Sequence, residues 1–181
     1  AAEEMGVAVG ILADLPGPKY RVGEMAEPEI TLTTGQSFKL QRSLCDGNTE
    51  RANVWPLGLH NDIKKGSLVL IDEGSVELRV DSIDEESIKC RVIRGGIMKP
   101  NKAVTAPGNT TTVDYFTPET ENALAWVESS DIDFVGLSYV RDSDDVVRVR
   151  TQLAAAGKTP QLVAKIEIQQ AVDNLSDILD K

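Results

Sequence analysis

The chain contains 181 residues, of which 41% are hydrophobic and 27% are charged, a composition typical of a folded protein of one or two domains and not of a disordered one. Its formal net charge of −10 argues against binding of a nucleic-acid backbone through a basic face. An anionic ligand would therefore be held by a local group of cations or by a metal ion.

Few residues of the most reactive types are present. The single histidine, His60, lies in a turn-like segment, and its being alone excludes a His-based catalytic triad or a multi-His metal site. Cys45 and Cys90 lack metal-ligand spacing and are interpreted as reduced, partly buried thiols. No apolar stretch approaches membrane-spanning length, and residues 1–4 lack the order of a signal peptide. We therefore expect a cytoplasmic protein with no membrane or nucleic-acid partner.

The first predicted element is a buried strand near the start of the chain. Residues 6–12 form a continuous apolar run, a pattern typical of a parallel-sheet strand that is covered on both faces. Asp14 follows the run. The Pro-Gly-Pro sequence of residues 16–18 favours neither a helix nor a regular ladder and indicates a turn.

The middle of the chain alternates apolar and polar residues. One hairpin is predicted from residues 29–33 and 37–40, and a second from residues 67–71 and 76–80. A further alternating strand covers residues 88–93. Short strands with glycine turns and no helical periodicity favour a compact β-barrel or a β-sandwich. Residues 43–66, which lie between the hairpins, are interpreted as rich in loops.

The periodicity becomes helical after residue 108. Thr117, Pro118 and Glu119 have the order of an N-cap, a first-position proline and a first-turn acid. They predict a helix through Ala123, Leu124 and Val127.

Two further strands and two further helices complete the chain. Apolar strands are predicted over residues 132–137 and 161–166. The helix between them is predicted to begin at the N-cap Ser143 and to end at Gly157. The last helix is predicted to bury Val172, Leu175 and Leu179.

The order of the elements divides the chain into two domains. The outer segments, residues 1–18 and 105–181, alternate strands with helices, and this alternation produces a parallel sheet. Residues 19–104 form an all-β insertion between them. The outer segments are too short for a complete eight-stranded βα-barrel, which takes about 250 residues.

Polar side chains follow all the predicted strands of the outer segments. Asp14 follows the first strand, and Ser138 follows the second with Arg141 nearby. Lys165 and Glu167 end the third. Because the carboxyl ends of parallel strands meet at one rim, these side chains are candidates for a single site.

Lys165 and Glu167 suit one kind of chemistry. They are two residues apart on a predicted strand, so their side chains are expected on the same face. The carboxylate can hold a divalent cation while the lysine stabilises charge on a phosphoryl group. The alternative is a strand-end salt bridge that contributes about 0 to 1 kcal/mol.

Several stretches, in order along the chain, resemble the pyruvate kinase family. Residues 12–23 (Leu-Ala-Asp-Leu-Pro-Gly-Pro-Lys-Tyr-Arg-Val-Gly) are similar to its strand-to-lid signature, and residues 72–74 (Asp-Glu-Gly) resemble its lid-domain turn. Residues 102–108 (Lys-Ala-Val-Thr-Ala-Pro-Gly) resemble its return into the barrel. Residues 134–141 (Phe-Val-Gly-Leu-Ser-Tyr-Val-Arg) and 163–167 (Val-Ala-Lys-Ile-Glu) resemble its next two barrel strands.

The resemblance implies a fold that combines α/β and all-β parts. The flanks would be a partial (β/α)8 TIM-barrel segment of the catalytic domain, and residues 19–104 would be an inserted small β-barrel that acts as a lid. Closure of such a lid would exclude water from the phosphoryl group during transfer. The full-length form is expected to be a homo-oligomer.

The resemblance also implies a reaction. A pyruvate kinase is a transferase of glycolysis that moves a phosphoryl group from phosphoenolpyruvate to ADP and gives pyruvate and ATP. By the family's pattern Lys165 would be the catalytic residue that stabilises this group, with Ser138 beside it. Glu167 would ligate Mg²⁺. Arg21 and Lys102 would contact the phosphates of the nucleotide.

Some positions depart from the family's pattern. Asp14 and the Leu15 carbonyl would belong to its potassium site, but Leu15 stands where the family has a threonine and lacks the hydroxyl. Lys19 stands where potassium-dependent members commonly have a glutamate, and its ammonium can replace the charge of the monovalent cation. We therefore predict potassium independence. Ala103 and Thr105 replace a glycine and an asparagine, which alters the hinge.

Other parts of the family's site have no counterpart in the sequence. An upstream strand with an arginine, an asparagine and a serine is missing, and so is a downstream Gly-Asp segment with a second magnesium carboxylate. One carboxylate alone makes a poor magnesium site. We expect these 181 residues to be inactive by themselves. We also expect open sheet edges to cause self-association or loose packing of the flanks, with the lid better ordered.

Two other functions stay open. One is a non-catalytic β-barrel binding or interaction module flanked by βα units. It is favoured if the natural gene ends at Lys181 and disfavoured if the reading frame continues into a Gly-Asp strand. The other is a different phosphoenolpyruvate-handling barrel enzyme, such as a lyase, in which Lys165 and Glu167 would serve equally well. The lid insertion argues against this second alternative.

Overall fold

The structure, a computed structural model, describes residues 4–181. The signal-peptide interpretation concerned residues 1–4, and the first three of these lie outside the described residues. The strands are β1 (Leu12–Leu15), β2 (Arg21–Val22), β3 (Ile30–Leu32), β4 (Ser37–Gln41), β5 (Arg51–Trp55), β6 (Leu68–Ile71), β7 (Val76–Ile83), β8 (Ser87–Arg94), β9 (Gly96–Met98), β10 (Val104–Thr105), β11 (Phe134–Leu137) and β12 (Gln161–Ala164). The helices are α1 (Leu59–Asp62), α2 (Pro118–Glu128), α3 (Ser143–Ala155), α4 (Gln169–Asp173) and α5 (Leu175–Leu179).

The chain divides into two compact units. The first unit combines the residues up to Pro18 with Asp114–Lys181, and the second comprises Lys19–Val113. Each unit has its own hydrophobic core. The domain division drawn from the sequence, with a boundary after residue 104, stays a prediction.

The first unit is built on a three-stranded parallel sheet with the order β1-β11-β12. The parallel sheet predicted from the alternation of strands and helices is therefore confirmed. Apolar side chains of α2 and α3 pack with the sheet in the core of this unit. Its fully or almost fully buried side chains include Leu15, Tyr115, Leu124, Val135, Leu137, Val149 and Leu153.

The first strand differs from its prediction. β1 begins at Leu12, and the side chains of Val7, Val9 and Ile11 before it are 55%, 63% and 53% exposed. The apolar run predicts burial on both faces, but β1 lies at the edge of its sheet and pairs only with β11 in the described chain. The burial of these side chains would depend on neighbours that residues 4–181 do not supply.

The predicted start of α2 is confirmed, and that of α3 is wrong by one residue. Thr117 is the N-cap of α2, with Pro118 as its first residue. The N-cap of α3 is Asp142 and not Ser143. The Asp142 carboxylate accepts hydrogen bonds from the backbone N–H groups two and three residues later, the geometry of a helix N-cap.

The predicted final helix is two short helices, α4 and α5, separated by Asn174. The side chains expected to be buried there, Val172, Leu175 and Leu179, are 52%, 37% and 75% exposed. Ala171 and Ile178 are buried instead. They belong to a neighbouring stripe of the helical surface, and the packing of α5 against α3 selects that stripe.

The second unit is a nearly closed mixed β-barrel. Its main sheet has seven strands in the order β10-β6-β7-β8-β4-β5-β2, and all neighbours are antiparallel except β4 and β5. The two ends of the sheet are joined by a bridge between Arg21 and Ala103 and by the Val22 N–H, which donates to the Lys102 carbonyl at 2.8 Å. Of the barrel and the sandwich predicted from the sequence, the barrel is confirmed.

One of the two predicted hairpins is present. β6 and β7 pair across residues 72–74, and β8 pairs with β7 as the next strand. β3 instead pairs with β9 in a separate two-stranded sheet, so residues 29–33 and 37–40 are not hairpin partners. Alternation indicates which face of a strand is buried, but it does not identify the neighbouring strand. The segment 43–66, interpreted as rich in loops, contains β5 and α1.

The interpretation of the two cysteines agrees with the structure. Cys45 is a partly buried free thiol and Cys90 is a buried one. His60, predicted in a turn-like segment, lies in the one-turn helix α1. None of the helices in residues 4–181 is long and apolar enough to cross a bilayer.

The exposed apolar residues before β1 predict self-association. An edge strand offers unpaired backbone groups, and adjacent exposed apolar side chains favour contact with a second molecule. Val9→Lys should therefore shift the mass of the 181-residue chain in light scattering towards the monomer. The control Leu44→Lys changes a leucine of the second unit that is 68% exposed and should leave the mass unchanged. A monomeric wild-type chain whose first-unit amides are fully protected from exchange would contradict the prediction.

Candidate active site at the strand ends

Residues at the carboxyl ends of β1, β11 and β12 in the first unit meet around one lysine. Lys165 Nζ lies 2.8 and 2.9 Å from Oδ1 and Oδ2 of Asp14 and 2.8 Å from Oγ of Ser138. Ser138 Oγ in turn lies 3.4 Å from Asp14 Oδ1. The parallel register aligns the ends of the three strands, so the residues at these ends become neighbours. Asp14, Ser138, Lys165 and Glu167 are called the Lys165 cluster below.

Glu167 is held at the cluster by a backbone group. Its Oε2 accepts a hydrogen bond from the Tyr139 N–H at 2.9 Å, and its Oε1 lies 3.8 Å from Lys165 Nζ. The prediction that Lys165 and Glu167 lie on a strand is wrong, because β12 ends at Ala164 where its partner β11 also ends. The segment after the strand nevertheless brings the two side chains together.

The environment of Lys165 keeps its ammonium charged and accessible. The hydrogen bond to Asp14 raises the pKa of Lys165, and the negative charges of Glu167 and Asp14 raise it further. Partial desolvation lowers the pKa, but the net shift is upward. Lys165 is therefore a cation throughout the neutral range. Its side chain is 31% exposed, so an anionic ligand can reach it. A fixed ammonium of this kind can stabilise negative charge that develops on a reacting group.

Arg141, the other cation near the second strand end, is engaged in a buried ion pair. Its Nε and Nη2 lie 2.9 and 2.7 Å from the Asp145 carboxylate, which also accepts from the Arg141 backbone N–H. Asp145 is 1% exposed. The hydrogen bonds to Asp145 raise the pKa of Arg141. The pair fixes the start of α3 directly after the cluster, and its four-residue spacing is the sequence signal that could have identified it.

Sequence reasoning missed two tyrosines at the site. Tyr139 has a φ of 55°, in the left-handed region that non-glycine residues rarely adopt. Tyr115 is fully buried, and its hydroxyl donates to the Ser138 carbonyl at 3.1 Å. Neither property has a signal in the sequence, because both depend on how the segments pack.

The backbones of the two candidate phosphate-binding residues are adjacent in the second unit. Arg21 is bridged to Ala103, the residue after Lys102. Arg21 Nη1 donates to the Asn101 carbonyl at 3.0 Å, and Lys102 Nζ lies 3.1 Å from Asp72 Oδ1. The Lys102 side chain is 41% exposed. The barrel closure therefore brings two backbone segments that are far apart in the sequence together, and the two cationic groups have different partners.

The residues assigned to a potassium site already have protein partners. Both carboxylate oxygens of Asp14 accept from Lys165, and the Leu15 carbonyl accepts from the Ser138 N–H at 3.4 Å. The Leu15 side chain is buried in the core of the first unit. Lys19 belongs to the second unit.

The cluster does not fit a complete magnesium site. Mg²⁺ requires octahedral oxygen coordination, with carboxylates joined by water or substrate oxygens. Within residues 4–181 no group of three or more His, Cys, Asp and Glu side chains could hold a metal ion. Glu167 can supply one carboxylate ligand.

Known proteins with similar sequences share one family. A family model for the barrel domain of pyruvate kinase matches residues 1–181. The chain is 32% identical over 179 residues to a pyruvate kinase of Mycobacterium tuberculosis (strain CDC 1551 / Oshkosh), a match that covers 99% of this chain and 38% of that protein. It is also 32% identical over 184 residues to pyruvate kinase 2 of Synechocystis sp. (strain PCC 6803), with 99% and 31% covered.

A solved structure agrees with these matches. The crystal structure of a pyruvate kinase from Cryptosporidium parvum superposes with a TM-score of 0.87 and 26% sequence identity, and the match covers 99% of this chain and 39% of that one. The chain spans 38% of the length of the mycobacterial relative. Since the family match extends over residues 1–181, the chain belongs to the pyruvate kinase family.

Proposed function

We propose that the protein transfers a phosphoryl group from phosphoenolpyruvate to ADP, giving pyruvate and ATP, and that this chain carries part of the active site. The supporting observation is the Lys165 ammonium, held by Asp14 and Ser138 and still accessible to an anion. Family membership supports the same reaction. It favours this proposal over a lyase or a non-catalytic binding module.

Lys165 acts as a fixed charge in this reaction. During transfer a terminal oxygen of ADP bonds to the phosphorus, the P–O bond to the enol oxygen breaks with its electron pair staying on the enolate, and negative charge spreads over the phosphoryl oxygens. The enolate then takes up a proton from water at its methylene carbon and becomes pyruvate. The Lys165 ammonium lies near these oxygens and stabilises that charge. Asp14 and Ser138 hold the ammonium in place, so that it does not have to reorient when the charge develops.

The remaining assignments follow from the family's pattern. Glu167 is one carboxylate ligand of Mg²⁺, an ion that neutralises phosphate charge when it is bound. Arg21 and Lys102 contact the phosphates of ADP or ATP. Because no group of three or more metal-binding side chains is present among the described residues, we propose that the 181 residues alone do not turn over substrate.

The proposed architecture follows the same family. The three parallel strands are a partial (β/α)8 TIM-barrel segment from residues 1–18 and 105–181. Residues 19–104 are a lid domain inserted into it. The full-length protein acts in glycolysis in the cytoplasm as a homo-oligomer.

Lys165→Met tests the catalytic assignment. In the protein expressed from its complete reading frame, loss of the ammonium should lower kcat about 10²- to 10³-fold, the range for loss of one charge-stabilising group. The coupled assay follows pyruvate formation. The control Lys158→Met removes a lysine of the same unit whose Nζ donates to the Ser130 carbonyl, and it should keep the wild-type kcat. An unchanged kcat in Lys165→Met would overturn the assignment.

Arg21→Ala and Lys102→Ala test the nucleotide contacts. Each substitution removes a charged donor, so each should weaken ADP binding about tenfold in isothermal titration calorimetry of the full-length protein. The matched control is Lys99→Ala, a lysine of the same unit that pairs with Glu29 at 3.0 Å. If Lys99→Ala weakened ADP binding equally, ADP binding would depend only on the net charge of the second unit, and the assignment of Arg21 and Lys102 would be rejected.

The ion requirement is tested by comparing K⁺ with Na⁺ at equal ionic strength. The full-length protein should have equal rates in the two salts, because Lys19 supplies a resident positive charge and Asp14 is already paired with Lys165. Lys19→Glu should introduce a dependence on K⁺. Stimulation of the wild-type enzyme by K⁺ over Na⁺ would be the contrary result.

A further inference from the structure

We propose that Tyr115 is a positioning residue: its buried hydroxyl fixes the peptide group between Ser138 and Tyr139, and this peptide group orients the Glu167 carboxylate. The catalytic meaning of this inference rests on the proposed function, in which Glu167 is a metal ligand. The structural part does not depend on that function and can be tested separately.

The first step is a hydrogen bond inside the core of the first unit. Tyr115 is fully buried, and its hydroxyl donates to the Ser138 carbonyl at 3.1 Å. Burial raises the pKa of Tyr115, so the phenol stays protonated and remains a donor at every physiological pH. This hydrogen bond is buried, and it links the Ser138 carbonyl to the core of the first unit.

The second step is the geometry of the peptide unit. The Ser138 carbonyl and the Tyr139 N–H belong to one planar group and point in opposite directions. The Tyr139 N–H donates to Glu167 Oε2 at 2.9 Å. Tyr115 and Glu167 therefore hold the same peptide plane from its two sides, and a rotation that breaks one hydrogen bond also breaks the other.

The surroundings of this peptide leave little room for an alternative orientation. A Cβ placed on Gly17 would lie 2.1 Å from the Ser138 oxygen, so the backbone after β1 is packed directly against this carbonyl. Tyr139 adopts the left-handed φ of 55°, a strained conformation that needs support from the surrounding structure. The Tyr115 hydroxyl supplies part of that support.

The peptide also carries the Ser138 side chain, which contacts Lys165 at 2.8 Å. Loss of the Tyr115 hydrogen bond would free the Ser138–Tyr139 peptide to rotate. We expect the position of the Glu167 carboxylate to change more than that of the Ser138 side chain, because Glu167 is hydrogen-bonded to the peptide itself. Among the described residues Tyr115 makes no hydrogen bond to the Lys165 ammonium or to the Glu167 carboxylate, so its hydrogen-bonded connection to Glu167 runs through the backbone.

Tyr115→Phe is the direct test, with amide hydrogen exchange of the full-length protein followed by NMR as the readout. The Tyr139 amide should exchange about fivefold faster or more, the factor expected for the loss of one hydrogen bond. The Lys165 amide, which donates to the Leu137 carbonyl in the same unit, is the internal reference and should not change. Equal acceleration of both amides would mean a general loss of stability and would overturn the proposal.

Tyr20→Phe is the matched control. It also removes one hydroxyl from a buried tyrosine, but that hydroxyl donates to Asp62 in the second unit. It should leave the Tyr139 amide unchanged. If it accelerates the Tyr139 amide as much as Tyr115→Phe does, the coupling through the Ser138–Tyr139 peptide is wrong.

Glu167→Gln gives a second test that does not depend on the folding of a core variant, because Glu167 lies at the surface. Weakening the acceptor of the Tyr139 N–H should accelerate exchange of the Tyr115 hydroxyl proton. In the double variant with Tyr115→Phe, the effects on the Tyr139 amide should be less than additive. Full additivity, or an unchanged Tyr115 hydroxyl in Glu167→Gln, would refute the coupling.

Kinetics of the full-length protein separate this inference from the proposed function. Tyr115→Phe should raise the Mg²⁺ concentration required for half-maximal rate, while the KM for ADP changes little. If the wild-type protein lacks pyruvate kinase activity, the proposed function fails and the exchange result still decides the structural claim. If activity is present but the Tyr139 amide is insensitive to Tyr115→Phe, the positioning role fails alone.

Discussion

The contact between the Lys165 ammonium and the Asp14 carboxylate joins residues 151 positions apart and is the constraint on which the candidate site depends. It forms only if β1 and β12 both pair in parallel with β11, because only then do their carboxyl ends lie at the same rim. Ser138, at the end of the middle strand, then lies within reach of both partners. The geometry of the candidate site therefore follows directly from the strand pairing of the first unit.

The second unit depends in a comparable way on the closure of its barrel. The bridge between Arg21 and Ala103, and the hydrogen bond from the Val22 N–H to the Lys102 carbonyl, join the start of the unit to the segment that leads into its last strand. Asp62 strengthens this closure, because its carboxylate accepts from the Tyr20 hydroxyl and from the backbone and side chain of Thr112. The start and the end of the unit are thus tied to the same carboxylate.

Sequence reasoning was most reliable where local chemistry decides the structure. The order of Thr117 and Pro118 predicted the start of α2, and the Asp-Glu-Gly turn of residues 72–74 predicted the hairpin of β6 and β7. It failed where the partner is distant or where two choices are locally equivalent. β3, within the predicted strand of residues 29–33, pairs with the distant β9, and Asp142 replaced its neighbour Ser143 as the cap of α3.

The sequence by itself determined the alternation of strands and helices, the polar residues at the strand ends and the resemblance to pyruvate kinase, since each of these is written in local patterns of residue type. Only the tertiary structure decided that Lys165 bonds to Asp14 and Ser138, that Glu167 is held by the Tyr139 N–H, and that the buried Tyr115 hydroxyl supports that peptide. The physical reason is that hydrogen bonds of this kind depend on distances and directions between segments, which follow from packing and strand register and not from any single stretch of sequence.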